Sequence, residues 1–87
     1  MKPQKKQSDT AVNQAKNLYE ARKKEKMDFS NGPCLSDALM SGWVADIAHN
    51  PRTQIDDLPQ NQCPAYREGK AKHFVELDTN GELIRVK

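Results

Sequence analysis

The chain of 87 residues is long enough for one small domain and too short for a large core, since such a chain buries only about 60% of its unfolded surface. Hydrophobic residues make up 36% of it and charged residues 30%, and no stretch has the apolar length of a signal peptide or a membrane span. The net charge of +2 argues neither for nor against nucleic acid. We therefore expect a cytoplasmic protein, with a basic segment over residues 1–28 and a body over residues 29–87.

The first predicted element is a helix over residues 10–27, which follows a flexible start. Its residues are good helix formers, and its capping candidates are Ser8, Asp9 and Thr10. The apolar residues form a narrow stripe, which needs an apolar surface to be stable. That surface belongs either to the protein's own sheet or to a second copy, and the small body slightly favours a dimer.

The C-terminal end of this helix carries most of the positive charge. The predicted partner-binding or nucleic-acid-binding residues are Leu18, Tyr19, Arg22, Lys23, Lys24 and Lys26. A basic patch supplies only the sequence-independent part of nucleic-acid affinity, and Glu20 and Glu25 dilute the charge. A protein partner or self-association is therefore favoured over RNA or DNA.

Residues 35–42 are predicted to form a short second helix, because Ser36 can cap it, two leucines lie four apart and Gly42 can end it. Residues 43–49 fit a helix or a strand. A continuous helix would contain Gly42 at a cost of roughly 1 kcal/mol, so we expect a strand. In it, Trp43, Ala45 and Ile47 share one face, and Asp46 lies on the other.

The segment 50–69 contains three prolines and no periodicity, which predicts a long irregular loop. Its expected anchors are Ile55, Leu58 and Tyr66, and the loop should form one wall of any cleft. After it, Asn80-Gly81 lies between alternating runs, which predicts a hairpin with strands at about 70–77 and 82–87.

A type I′ turn at Asn80-Gly81 would place Leu77 opposite Ile84 and pair Glu76 with Arg85. The sequence thus predicts an α+β fold. It consists of an N-terminal helix, a short second helix and a small antiparallel sheet that ends in the hairpin.

Acidic, basic and cationic side chains crowd together in the stretch GWVADIAHNPRTQIDDLP, residues 42–59. The catalytic candidates are Asp46, His49, Arg52 and Asp57, together with Asp56. On a strand, however, Asp46 and His49 point to opposite faces. A general base and the acid that orients it must lie side by side, so a strand does not allow this pair. A polar loop that leaves a strand is the favoured interpretation, so we expect no enzyme.

The metal candidates are Cys34, His49, Cys63 and His73, a complete set of residue types for Cys₂His₂ zinc. None of them is spaced as a close ligand pair, so we expect no cofactor. In the cytoplasm the two cysteines are expected to be free thiols, although a bridge between them is possible in an oxidising compartment.

The segments NGPCLS, NQCPAYREG and HFVELD resemble small bacterial proteins of unknown function, and this resemblance covers about the last 58 residues. It implies no activity and no binding residue. The sequence alone therefore favours a small non-catalytic binding module, with a hydrolase or metal-binding role as the weakest alternative.

Overall fold

The computed structural model describes residues 5–87, so residues 1–4 of the expected flexible start lie outside the described part. Along the sequence the elements are α1 (Lys5–Lys24), β1 (Cys34–Met40), β2 (Trp43–Ile47), α2 (Pro64–Arg67), β3 (His73–Leu77) and β4 (Leu83–Val86), with 3₁₀ turns at Gln54–Asp57 and Pro59–Asn61. The α+β class is confirmed. Within the described residues no helix is both long and apolar enough to cross a membrane.

The four strands form one sheet in the order β1-β2-β3-β4. The outer pairs are antiparallel, but β2 and β3 run parallel, with Trp43 opposite His73 and Ile47 opposite Leu77. The expected sheet of three antiparallel strands is therefore wrong. Two parallel strands that are neighbours in a sheet must be joined by a crossover connection. Here the crossover is the segment 48–72 between β2 and β3, and it contains no long helix.

The predicted second helix at 35–42 is also wrong, because these residues form β1 and its turn into β2. Met40 pairs with Trp43, and Gly42 has the positive φ of 79° that this tight turn requires. Leu35 and Leu39 both pack on the helix side of the sheet. Residues four apart share a face in a strand as well as in a helix, so this spacing did not distinguish the two.

The helix α1 starts before the expected caps, and the hydroxyl of Thr10 donates within the helix to the carbonyl of Lys6 at 3.0 Å. At its end Lys26 has a φ of 64°, and the N–H of Met27 donates to the carbonyl of Arg22 at 3.0 Å. This is a Schellman end in which a lysine occupies the left-handed position that glycine usually fills.

The core has two parts, one on each face of the sheet. On the helix face, a buried cluster joins α1 to the sheet and contains Ala11, Ala15, Tyr19, Phe29, Leu35, Trp43, Ala45, Ile47, Val75 and Leu77. On the other face, a smaller cluster lies under the crossover and contains Val44, Cys63, Ala71 and Phe74. The predicted strand faces of β2 are confirmed, and the helix stripe finds its surface on the protein's own sheet.

The C-terminal hairpin forms, but its predicted register is wrong at the turn. Val75 pairs with Val86 and Glu76 with Arg85 as expected, whereas Leu77 pairs with Leu83 and leaves Ile84 as an extra, bulged residue. In the turn only Gly81 has a positive φ, of 85°, so the turn is not type I′. The carboxylate of Asp78 instead accepts the N–H groups of Asn80 and Glu82 at 2.8 and 2.9 Å, which stabilises a longer turn.

A disulfide joins Cys34 of β1 to Cys63 of the crossover, and their Cα atoms are 4.9 Å apart. The prediction of free thiols is therefore wrong for this structure. Of the three expected anchors of the crossover, Leu58 and Tyr66 are about 40% exposed, and Ile55 is half-buried. The disulfide and the buried Asp56 hold the segment instead, so its anchors are covalent and polar rather than apolar.

Candidate functional site

A half-open pocket of about 150 Å³ lies between the sheet and the crossover, on the face away from α1. It is lined by Val44, Asp46, Arg52, Gln62, Cys63, Tyr66, Arg67, Phe74, Glu76 and Arg85. As the sequence predicted, the crossover forms one wall. The floor is apolar, the rim carries three arginines, and two carboxyl groups lie between them.

The two carboxyl groups, Asp46 and Glu76, face the pocket because of the parallel pairing of β2 and β3. They are partners in the register, so their side chains are neighbours on the same face. Burial, followed by the charge of Glu76, raises the pKa of Asp46 to about 7. Its Oδ1 atom is buried and has no hydrogen-bond partner among the described residues. Asp46 therefore holds a proton to a higher pH than an ordinary aspartate and has an unused polar atom.

Two arginines hold Glu76, which is only 5% exposed. Arg52 donates from Nη1 to one carboxylate oxygen at 2.7 Å, and Nε of Arg85 lies 3.3 Å from the other. The guanidinium of Arg85 also lies 5.3 Å from the ring centre of Phe74. Two guanidinium groups therefore contact the Glu76 carboxylate in its buried position.

Arg67 is exposed on α2 and has no ion pair or hydrogen bond from its side chain within residues 5–87. The adjacent Tyr66 packs edge-on against Phe74, with ring centres 5.1 Å apart. The rim of the pocket thus offers an available guanidinium beside an aromatic surface.

Asp56, 1% exposed, organises the start of the crossover. Its Oδ1 lies 2.9 Å from Nδ1 of His49, and its Oδ2 accepts the backbone N–H groups of His49 and Thr53 at 3.0 and 2.9 Å. Burial by itself would raise the pKa of Asp56, but these backbone and histidine hydrogen bonds outweigh it and lower the pKa. A side chain at Gly32 would collide with Asp56 Oδ1, so the carboxylate lies directly against the backbone.

The catalytic candidates divide between these two places. His49 is joined to Asp56, whereas Asp46 lines the pocket and makes no hydrogen bond with His49 among the described residues. Arg52 connects the two places, because it donates from Nη2 to the backbone carbonyl of Asp56 at 3.4 Å and from Nη1 to Glu76. Its Nε also donates to the exposed Asp57 at 3.0 Å. The arrangement pairs the charges with one another. The hydroxyl of Thr53 joins His49 and Asp56, because it donates to Oδ2 of Asp56 at 3.3 Å and lies 3.3 Å from Nδ1 of His49, but Thr53 does not line the pocket.

The four metal candidates are not brought together. Cys34 and Cys63 form the disulfide, His49 contacts Asp56, and His73 stacks on Trp43 with ring centres 4.9 Å apart. His73 was expected to be a hydrogen-bonded core histidine. It is half-buried, and its Nδ1 has no partner in the part of the sequence that the structure describes.

The predicted binding residues of the helix lie on two sides of α1. Tyr19 is buried, stacks on Phe29 and donates its hydroxyl to the carbonyl of Thr79 at 2.8 Å, and Leu18 packs against the same core. Arg22 is half-buried and pairs with Glu25 at 2.9 Å. The exposed cations are Lys23, Lys24 and Lys26.

Sequence reasoning did not find Glu76, Arg85, Arg67 and Phe74 as pocket residues. A signal was present, because the hairpin register pairs Glu76 with Arg85 on the face opposite Val75 and Leu77. The neighbour that completes the site, Asp46, lies across a parallel pair, and local pattern does not specify that pairing.

No family model matches this protein, and neither a curated protein nor a solved structure matches it. The resemblance to small bacterial proteins therefore stays a prediction, and function has to be argued from the pocket itself.

Proposed function

We propose that the protein is a small non-catalytic module that binds a partner protein by taking one anchoring residue into the pocket between β2, β3 and the crossover. Pocket size carries this proposal. Small-molecule sites usually measure about 300–1,000 Å³, and this pocket measures about 150 Å³. Such a volume suits one side chain of a protein partner, which is how many interfaces concentrate their binding energy.

The charges indicate which residue fits. Arg52, Arg67 and Arg85 outnumber the carboxyl groups of Asp46 and Glu76 around an apolar floor. A carboxylate beside an aliphatic side chain would therefore meet both the rim and the floor. The protonated form of Asp46 can also donate a hydrogen bond to that carboxylate, which would use its unsatisfied oxygen. We infer a partner segment that presents an aliphatic residue with an adjacent carboxylate, as at the C-terminus of a polypeptide.

N-acetyl-leucine and N-acetyl-leucinamide are suitable probes, because they differ only at the carboxyl end, which is a carboxylate in the first and a neutral amide in the second. In a titration followed by NMR, we expect N-acetyl-leucine to shift the amide resonances of Val44, Phe74 and Glu76. The amide should bind at least about tenfold more weakly, since it lacks the charge-assisted hydrogen bonds. Arg67→Gln should weaken binding of the acid, and Lys24→Gln, on α1, serves as the matched control. Equal binding of the two probes, or shifts confined to α1, would contradict the proposal.

Self-association is the other form of protein binding that the sequence favoured. The helix stripe that motivated a dimer is covered by the protein's own sheet, so we propose a different protein as the partner. Sedimentation of the wild type and Leu18→Asp separates the two cases. A wild-type dimer that Leu18→Asp converts into a folded monomer would favour self-association through α1.

Nucleic acid is the second candidate ligand, and the exposed Lys23, Lys24 and Lys26 support it. Binding of a labelled single-stranded RNA should then weaken by about 0.7 log unit per log of salt for each phosphate neutralised. It should also weaken in Lys23→Gln/Lys24→Gln. Steep salt dependence together with this loss would replace the protein-binding proposal.

A cytoplasmic location belongs to this proposal, and a stable Cys34–Cys63 disulfide argues against it, because the cytosol opposes disulfides. The redox state of Cys34 and Cys63 in protein trapped with an alkylating agent in intact cells tests it. Fully alkylated thiols would support the cytoplasm, and a protected disulfide would indicate an oxidising compartment.

A further inference from the structure

Three potential metal ligands meet where β1 approaches α2. The sulfur atoms of Cys34 and Cys63 and a carboxylate oxygen of Asp37 all lie within 4.8 Å of one another. Asp37 is exposed, and its Oδ1 accepts the backbone N–H of Ala65 at 2.8 Å. That bond fixes the carboxylate beside the sulfurs and ties it to the residues that follow Cys63.

An irregular strand creates this arrangement. Cys34 and Asp37 are three apart and would point to opposite faces of a regular strand. In β1 the register shifts between Cys34 and Ser36 and again before Met40, so the strand is bulged there. The bulge turns Asp37 to the side of Cys34, and bulges often re-aim side chains in this way at functional sites.

We propose that the reduced protein binds one Zn²⁺ ion through the thiolates of Cys34 and Cys63 and the carboxylate of Asp37, with the fourth position open to water. The ligand set is soft enough for zinc and unsuited to Mg²⁺ or Ca²⁺, which require oxygen ligands. Three protein ligands with one open position are the arrangement of accessible zinc sites rather than of closed structural ones.

The zinc form is reached from the disulfide form in two steps. A dithiol reductant transfers two electrons and two protons to the disulfide and becomes a disulfide itself, which leaves Cys34 and Cys63 as thiols. Zinc binding then releases both thiol protons to solvent. With Zn–S bonds of about 2.3 Å, a tetrahedral ion places its two sulfurs about 3.8 Å apart. Residues whose Cα atoms are 4.9 Å apart can reach that separation by rotating their side chains.

This proposal does not depend on the proposed partner binding. It predicts a different form of the protein in each kind of compartment. A reducing compartment would favour the zinc form, and an oxidising compartment would favour the disulfide form. His49 and His73 take no part, since each is engaged elsewhere in the fold.

The test is metal titration of the full-length protein in two redox states. Protein reduced with a phosphine and protein left oxidised are titrated with Zn²⁺ against a chromophoric chelator, and Co²⁺ serves as a spectroscopic substitute. We expect one zinc per reduced molecule and none per oxidised molecule. The reduced Co²⁺ form should show a thiolate-to-metal charge-transfer band, which Cys34→Ser should abolish.

Asp37→Asn decides whether the site has its third ligand. It should weaken zinc binding by about tenfold or more, whereas Asp57→Asn, an exposed aspartate on Arg52, should leave the affinity unchanged. Zinc affinity that is equal in the two redox states, or unaffected by Asp37→Asn, would overturn the proposal. If reduction unfolds the protein, Zn²⁺ should restore its far-ultraviolet circular dichroism, and failure to do so would also overturn it.

Discussion

The two faces of the sheet are formed by alternate residues of the same strands, but they differ in the kind of side chain that is buried. Towards α1, Trp43, Ile47 and Leu77 are at most 1% exposed in a continuous apolar layer. Towards the crossover, the positions next to them carry Asp46 and Glu76. Buried polar groups lower the stability of the fold unless they are paired. The crossover face is therefore less stabilising than the helix face, and it contains the pocket.

The crossover face also contains a contrast between two aspartates. The carboxylate of Asp56 accepts two backbone N–H groups and contacts His49, and its pKa is lowered. Asp46 has an unpartnered oxygen, and its pKa is raised. Asp56 therefore holds the crossover that forms one wall of the pocket, whereas Asp46 is available to a ligand.

The largest expected effect is that of removing the Asp56 carboxylate. Asp56→Asn should lower the free energy of unfolding by roughly 4 kcal/mol, because it breaks the contact with His49 and leaves buried backbone donors poorly paired. Denaturant unfolding measures this change. Asp57→Asn, whose side chain is 66% exposed, is the control and should cost less than about 1 kcal/mol. Similar losses in both variants would show that Asp56 does not hold the crossover.

Removing the disulfide comes next. Cys34→Ser/Cys63→Ser should cost about 3–4 kcal/mol in the presence of a chelator, as expected for a crosslink between residues 29 positions apart. Because Cys63 lines the pocket, the resonances of the pocket residues should change more than those of α1. Uniform change over both faces would mean that the crosslink does not act mainly on the crossover.

A smaller effect tests the close packing on the helix face. A Cβ atom at Gly81, where φ is 85°, would lie 2.6 Å from the ring of Tyr19, whereas at Gly42 nothing lies within 4 Å. Gly42→Ala should therefore cost only the strain of a positive φ, about 1 kcal/mol, and Gly81→Ala about 2–3 kcal/mol. Thermal unfolding of both variants measures the difference. Equal costs would indicate that α1 does not press on the hairpin turn.

On the crossover face, substitution of Asp46 should stabilise the protein. The neutral form of Asp46 contributes stability that is fully present below about pH 4 and is lost as the pH rises through about 7. Asp46→Asn should thus match the wild type near pH 4 and exceed its free energy of unfolding by up to about 4 kcal/mol at about pH 9. Denaturant unfolding at both pH values checks this, and a gain that does not depend on pH would contradict the role given to Asp46.

The sequence predicted the parts of this fold that depend on neighbouring residues. The faces of β2 and the two hairpin strands follow from alternation, and the basic helix follows from its composition. It did not predict β1, because Leu35 and Leu39 suit two periodicities, nor the parallel pairing, which depends on contacts far apart in the sequence. The pocket was missed for the same reason, since Asp46 and Glu76 are neighbours only across that parallel pair.

The most direct test of the division between the two aspartates is an NMR titration of the side-chain carboxyl carbons of Asp46 and Asp56. Protection from solvent alone would shift both aspartates the same way, whereas the hydrogen bonds of Asp56 should separate them. We expect Asp46 to titrate with a pKa of about 7 and Asp56 with a pKa below the ordinary aspartate value. An ordinary pKa for Asp46, or a raised one for Asp56, would contradict the assignment of one acid to a ligand and the other to the fold.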